Sequence, residues 1–101
     1  MNQNMMRQLQ KVQQEMAKAQ EDIQNYSVEG AAGGGVVTVT ITGDFRVTKV
    51  TIGKDALDPE DVETLEDLVV AACNDARAKA EAYASQRMGS VTGGLKIPGF
   101  G

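Results

Sequence analysis

An uninterrupted helical run from Asp58 to Met88 limits what this chain can fold into more than any other feature. Asp58 is set to cap exposed amides, Pro59 suits a first helical turn, and Glu60 and Asp61 favour the positive end of the helix dipole. At about 1.5 Å per residue, roughly thirty residues make a rod about 45 Å long. A sheet of three strands, each of about seven residues, covers only about 25 Å of it. The uncovered length needs a partner. Ala71, Ala72, Ala76, Ala78, Ala80, Ala82 and Ala84 leave little side chain between helix axes and permit close approach, and a second copy of the chain is the simplest partner. Ala72, Ala76, Ala80 and Tyr83 are the expected dimer-contact positions.

A first helix is expected over residues 3–26, where Met5, Leu9, Val12, Met16, Ala19, Ile23 and Tyr26 alternate spacings of four and three. That is a heptad seam, and the glutamines on the other faces keep the helix soluble with little charge. From Tyr26 the period changes. A short strand over residues 27–31 leads into Gly33-Gly34-Gly35, and VVTVTIT at 36–42 puts Val37, Val39 and Ile41 on one face and threonines on the other. Gly43-Asp44 is expected to turn the chain into a third strand within residues 45–53, with Val50 and Ile52 as core candidates. The expected fold is α+β: an α-β-β-β-α order with a three-stranded antiparallel meander and two long helices. Residues 1–88 are expected to form one dimerising domain, and residues 89–101, rich in glycine, a flexible tail from which Leu95, Ile97 and Phe100 dock on a partner.

The chain has no histidine and one cysteine, Cys73, which removes a Cys/His zinc site, an internal disulfide and a histidine-based triad. Cys73 lies in an apolar stretch and is expected to pack as a small hydrophobe. No run approaches a membrane span and no secretory pattern opens the chain, so a soluble cytoplasmic protein is expected, mature from Met1. The triple glycine runs into a strand rather than a helix start, so it is expected to turn the chain, not to hold a phosphate. The carboxylates Glu60, Asp61, Glu63, Glu66 and Asp67 are expected to form a solvated face, with no second cluster to make a metal or acid–base site. Asn74 and Asp75, inside the alanine stretch, are expected to fix register by hydrogen bonding between helices or from strand to helix. An enzyme is not expected, and neither a cofactor nor a small-molecule substrate is called for.

Six cations form a partial pattern. Arg7, Lys11 and Lys18 recur at helical spacing off the apolar seam, and Arg77, Lys79 and Arg87 lie beyond the acidic start of the second helix. Such residues ordinarily form a solvated face, but in a dimer the pattern doubles. The net charge of −4 opposes long-range attraction to nucleic acid, so affinity would rest on locally clustered cations and fall sharply with salt.

The spacing Met5, Leu9, Gln13, Met16, followed by VEGAAGGGVVTVTITG, EDLVVAACNDARAKAE and a tail containing TGGLKIPG, resembles the YbaB/EbfC family of nucleoid-associated proteins over nearly the whole chain. The resemblance implies a bacterial cytoplasmic, nucleoid-associated homodimer shaped like tweezers, binding DNA with low sequence preference in nucleoid organisation or gene regulation. It implies no catalytic residues. It makes the helices the DNA-contacting parts, with Arg7, Lys11, Lys18, Arg77, Lys79 and Arg87 as the positions able to serve. An alternative is an adaptor for DNA-metabolism proteins, docking through the second helix and the tail.

Overall fold

The computed structural model describes residues 2–92. Helix α1 (Gln3–Asn25) opens at Asn2, whose side-chain oxygen accepts the Met5 N–H at 2.8 Å and satisfies one of the amides a helix start leaves free. The chain turns extended at Tyr26 and enters the meander β1 (Ser27–Ala32), β2 (Val37–Thr42), β3 (Val47–Ile52), antiparallel in sheet order β1-β2-β3. Helix α2 (Val62–Thr92) completes the expected α-β-β-β-α order. Between β1 and β2, Gly33, Gly34 and Gly35 all have positive φ, at 63°, 71° and 95°, a conformation that side chains resist. The triple glycine is thus a turn.

Helix α2 starts later than its sequence suggests. Asp61 is the capping residue: its carboxylate accepts the Thr64 N–H at 3.2 Å and the Thr64 hydroxyl at 2.6 Å, and these bonds hold its pKa below the ordinary value. Asp58 instead caps a separate turn, accepting the Glu60 N–H at 3.0 Å on its side chain and the Asp61 N–H at 3.0 Å on its carbonyl. The far end also moves, because α2 passes through Gly89 and Ser90 to Thr92, so the expected boundary at Met88 falls inside the helix. Leu95, Ile97 and Phe100 lie outside the described residues.

The core is the contact of α2 with β1 and β2. Val37, Val39 and Ile41 face the helix, and Ala72, Ala76 and Ala80 meet them, fully buried within the single chain. Gly30 permits this: a Cβ there would lie 2.6 Å from Ala76 Cα and closer still to the Ala76 nitrogen and the Ala72 oxygen. Ala72, Ala76 and Ala80, the expected dimer-contact positions, are thus buried against a strand of their own chain. Small residues let a helix approach a strand as readily as another helix, and here the strand of the same chain takes that face.

The distal part of α2 packs on α1 of the same chain. Tyr83, also expected at the dimer contact, stacks on Tyr26 with ring centroids 3.7 Å apart and planes 4° from parallel. Arg87 bonds Asp22 at 3.0 Å through both Nε and Nη2. Cys73 is half-buried against the core cluster. Val50 and Ile52 are not core. Their register opposite Val39 and Val37 puts them on the helix-facing side, but α2 lies over β1 and β2, leaving Val47, Val50 and Ile52 38–49% exposed.

Candidate nucleic-acid interface

The molecule is long and thin, 70 × 25 × 16 Å. Helix geometry explains the long axis. Tyr26 pairs with Tyr83 and Asp22 with Arg87, so four residues back along α1 match four forward along α2, and the helices run antiparallel. Residues 3–16 of α1 then extend past the described end of α2 as an arm of about 20 Å.

Arg7, Lys11 and Lys18 are exposed and make no ion pair with any described residue. At about 100° per residue, they fall within an arc of about 40° on α1, roughly opposite the apolar seam. Residues 3–20 carry these three cations against one carboxylate, Glu15. The acids gathered at the start of α2 lie about 40 Å away along the axis, several times the Debye length of about 10 Å at 0.1 M salt. The net charge of −4 thus misrepresents the field at the arm, which is locally positive.

The cations of α2 are in a different state. Arg77 pairs with Glu81 at 2.9 Å and lies 5.1 Å from the centroid of the Phe45 ring. Lys79 pairs with Asp75 at 3.1 Å and donates to the Glu29 carbonyl at 3.1 Å, while Arg87 is held by Asp22 and by Ser90 at 2.8 Å. Each is balanced by a carboxylate, so the six expected positions split into an uncompensated set on α1 and a compensated set on α2. Sequence reasoning passed over Arg46 and Lys49, both exposed on or beside β3 and in no ion pair among the described residues. Their signal was charge within an alternating run, which marks an exposed edge strand.

Asp75 has the register-fixing role its place among alanines suggested. Its Oδ2 accepts the Ala31 N–H at 3.0 Å, and with Lys79 on the Glu29 carbonyl it closes the outer edge of β1. The Ala31 amide, then Lys79, holds its pKa below the ordinary carboxylate value. A depressed carboxylate contributes stability that is complete above its unfolded pKa and is lost as pH falls through the folded one. Asp75→Asn is therefore expected to lower Tm at pH 7 and to flatten the fall of Tm between about pH 5 and pH 2, read by calorimetry. An unchanged acid limb would remove Asp75 from the account.

Among the described residues there is no group of three or more candidate metal ligands, and no helix is long and apolar enough to cross a membrane. The fold is shared with an uncharacterized protein from Helicobacter pylori of solved structure, with a TM-score of 0.73 at 21% identity, covering 89% of this chain and 96% of that one. A nucleoid-associated protein of Pelotomaculum thermopropionicum is 50% identical over 96 residues, covering 95% of this chain and 91% of the relative. Another, from Bacillus thuringiensis, is 50% identical over 96 residues, covering 95% and 88%. With residues 1–95 matching the family and relatives at this identity across almost their full lengths, the chain belongs to the YbaB/EbfC DNA-binding family.

Proposed function

We propose that two copies of this chain form a homodimer that binds duplex DNA through its phosphates, with low sequence preference, in the cytoplasm and nucleoid of a bacterium, serving nucleoid organisation or gene regulation. The observation that carries the reading is the uncompensated stripe of Arg7, Lys11 and Lys18 on a projecting helix. Flexible cations on a helix back suit backbone contact, which orients a protein on DNA and carries no sequence information. Relatives named nucleoid-associated proteins support the setting. The paired cations Arg77, Lys79 and Arg87 are secondary in this reading.

Dimerisation is assigned to the apolar face of β3. Val47, Val50 and Ile52 are the large side chains of the sheet left exposed on the helix side, and an unpaired strand face of this kind favours a covering partner. Two arms then project from one body, a tweezer-like arrangement. The test is sedimentation with anisotropy titration of two unrelated duplexes. Expected are a mass twice the 10.7 kDa of the chain, affinities for the two duplexes within about tenfold, and conversion to monomer with weaker DNA binding by Val50→Asp. A monomeric wild type, or no binding of either duplex at low salt, contradicts the reading.

A further inference from the structure

The apolar seam of α1 continues past the point where α2 pairs with it. Tyr26–Tyr83 and Asp22–Arg87 bring Val91 to the level of Lys18 and Ala19, and Ala19 and Val91 are both buried. Beyond that level the seam stays open among the described residues: Met5, Leu9 and Met16 are 39–51% exposed, and Met5, Gln8, Leu9 and Val12 line a shallow groove of about 180 Å³. Exposed Gln8 and Glu15 flank it on one side and exposed Met6 and Gln13 on the other, with a single charge among the four.

We propose that this seam is closed by the same seam of a second copy, lying antiparallel. Its spacing is self-complementary. Met5, Leu9, Val12 and Met16 are separated by four, three and four residues, so the series is the same from either end. Two arms laid antiparallel match Met5 with Met16 and Leu9 with Val12, then the same in reverse, so that every seam residue faces another. Gln8 comes beside Glu15 of the second copy, an amide able to donate to a carboxylate, and Met6 beside Gln13, so no like charges meet. Direction follows from the fold. Because α2 occupies the seam from Ala19 onward, a parallel partner would set two α2 helices against each other, whereas an antiparallel one places the two bodies at opposite ends. A seam about 17 Å long and about 10 Å wide falls well short of the roughly 1,200 Å² of a stable complex, so the pairing is weak and forms at high local concentration. Arg7, Lys11 and Lys18 lie about 150° around α1 from the seam and stay on the outer side of each arm. Under the DNA-binding reading, paired arms can therefore hold two duplex segments on opposite sides. The pairing itself rests on neither DNA binding nor the β3 contact.

Disulfide exchange in the full chain tests it. Met5→Cys and Met16→Cys chains, each also carrying Cys73→Ala, are mixed at about 0.5 mM in a glutathione buffer. Each chain then has one thiol, so every protein–protein disulfide joins two copies. The disulfide between positions 5 and 16 is expected to exceed either same-position disulfide by about tenfold, to persist when Val50→Asp is added, and to fall about tenfold with Leu9→Asp. Circular dichroism of each variant is the control for an intact fold. An excess of same-position disulfides would mean parallel arms, and no preference among the three would leave the seam to another occupant; either result overturns the proposal. A disulfide between 5 and 16 that Val50→Asp abolishes would assign the contact to the β3 dimer and overturn it as well.

Discussion

The triple variant Arg7→Gln/Lys11→Gln/Lys18→Gln is expected to bind duplex DNA at least about a hundredfold more weakly than wild type at 50 mM salt, with its fold and mass unchanged. The three side chains are exposed, on one stripe, and paired with no described carboxylate, so neutralising them breaks no ion pair among the described residues. In a dimer the change removes six potential phosphate contacts at once, each of which displaces close to one counterion from the duplex. Arg77→Gln is the matched control. Because the Arg77 guanidinium is already engaged by Glu81 and is less available to a phosphate, the expected change in affinity is under about threefold. Equal losses from the two variants, measured by anisotropy, would shift the interface to α2.

Gly30→Val is expected to abolish the native fold. No rotamer change relieves the clash, because the atoms that meet the new Cβ are the Ala76 backbone nitrogen and the Ala72 carbonyl, not the end of a side chain. The helix has to retreat from β1, which uncovers Val37 and Val39 and pulls Asp75 and Lys79 off the strand edge. Overpacking costs about 1–3 kcal/mol even where side chains can shift, and more is expected for backbone against backbone, in a domain whose total stability is about 5–15 kcal/mol. Gly34→Ala makes the contrast. Gly34, unlike Gly30, has positive φ and faces open space, so only the local strain of about 1 kcal/mol is expected. Far-UV circular dichroism on heating distinguishes the two, and a cooperative native transition retained by Gly30→Val would refute the close approach.

The periodicities carried most of the fold. Spacings of four and three from Met5 to Ile23, and strict alternation from Val37 to Ile41, reflect which side of an element is apolar, and the helices and strands follow them. What they do not carry is whether anything covers that side. Val50 and Ile52 have the right parity for the core and lie beyond the edge of α2. The alanine stripe was legible as a surface of close approach but not as to partner, and the deciding signal was Gly30, a glycine inside a strand. Asp58 and Asp61 are equally able caps, and a turn of Pro59 and Glu60 between them gives the helix start to the second.

The same limit applies to the site. Spacing marks Arg7, Lys11 and Lys18 as one stripe, and the pairs Arg77–Glu81 and Asp75–Lys79 are visible in sequence as neighbours one helical turn apart. The bond from Arg87 to Asp22 joins residues 65 apart and appears only once the helices are packed. Net charge was the most misleading number, since it sums the arm's three cations with the acids at the start of α2, about 40 Å away along the axis.

The most direct test of the account is the salt dependence of duplex binding by wild type and the α1 triple variant, measured together as log K against log salt. Six phosphates contacted by a dimer predict a slope of about −5 for wild type, or about a thousandfold loss between 50 and 200 mM, and a slope near zero for whatever binding the variant keeps. A shallow wild-type slope, or the same steep slope in both proteins, would contradict the claim that the exposed cations of α1 hold the DNA.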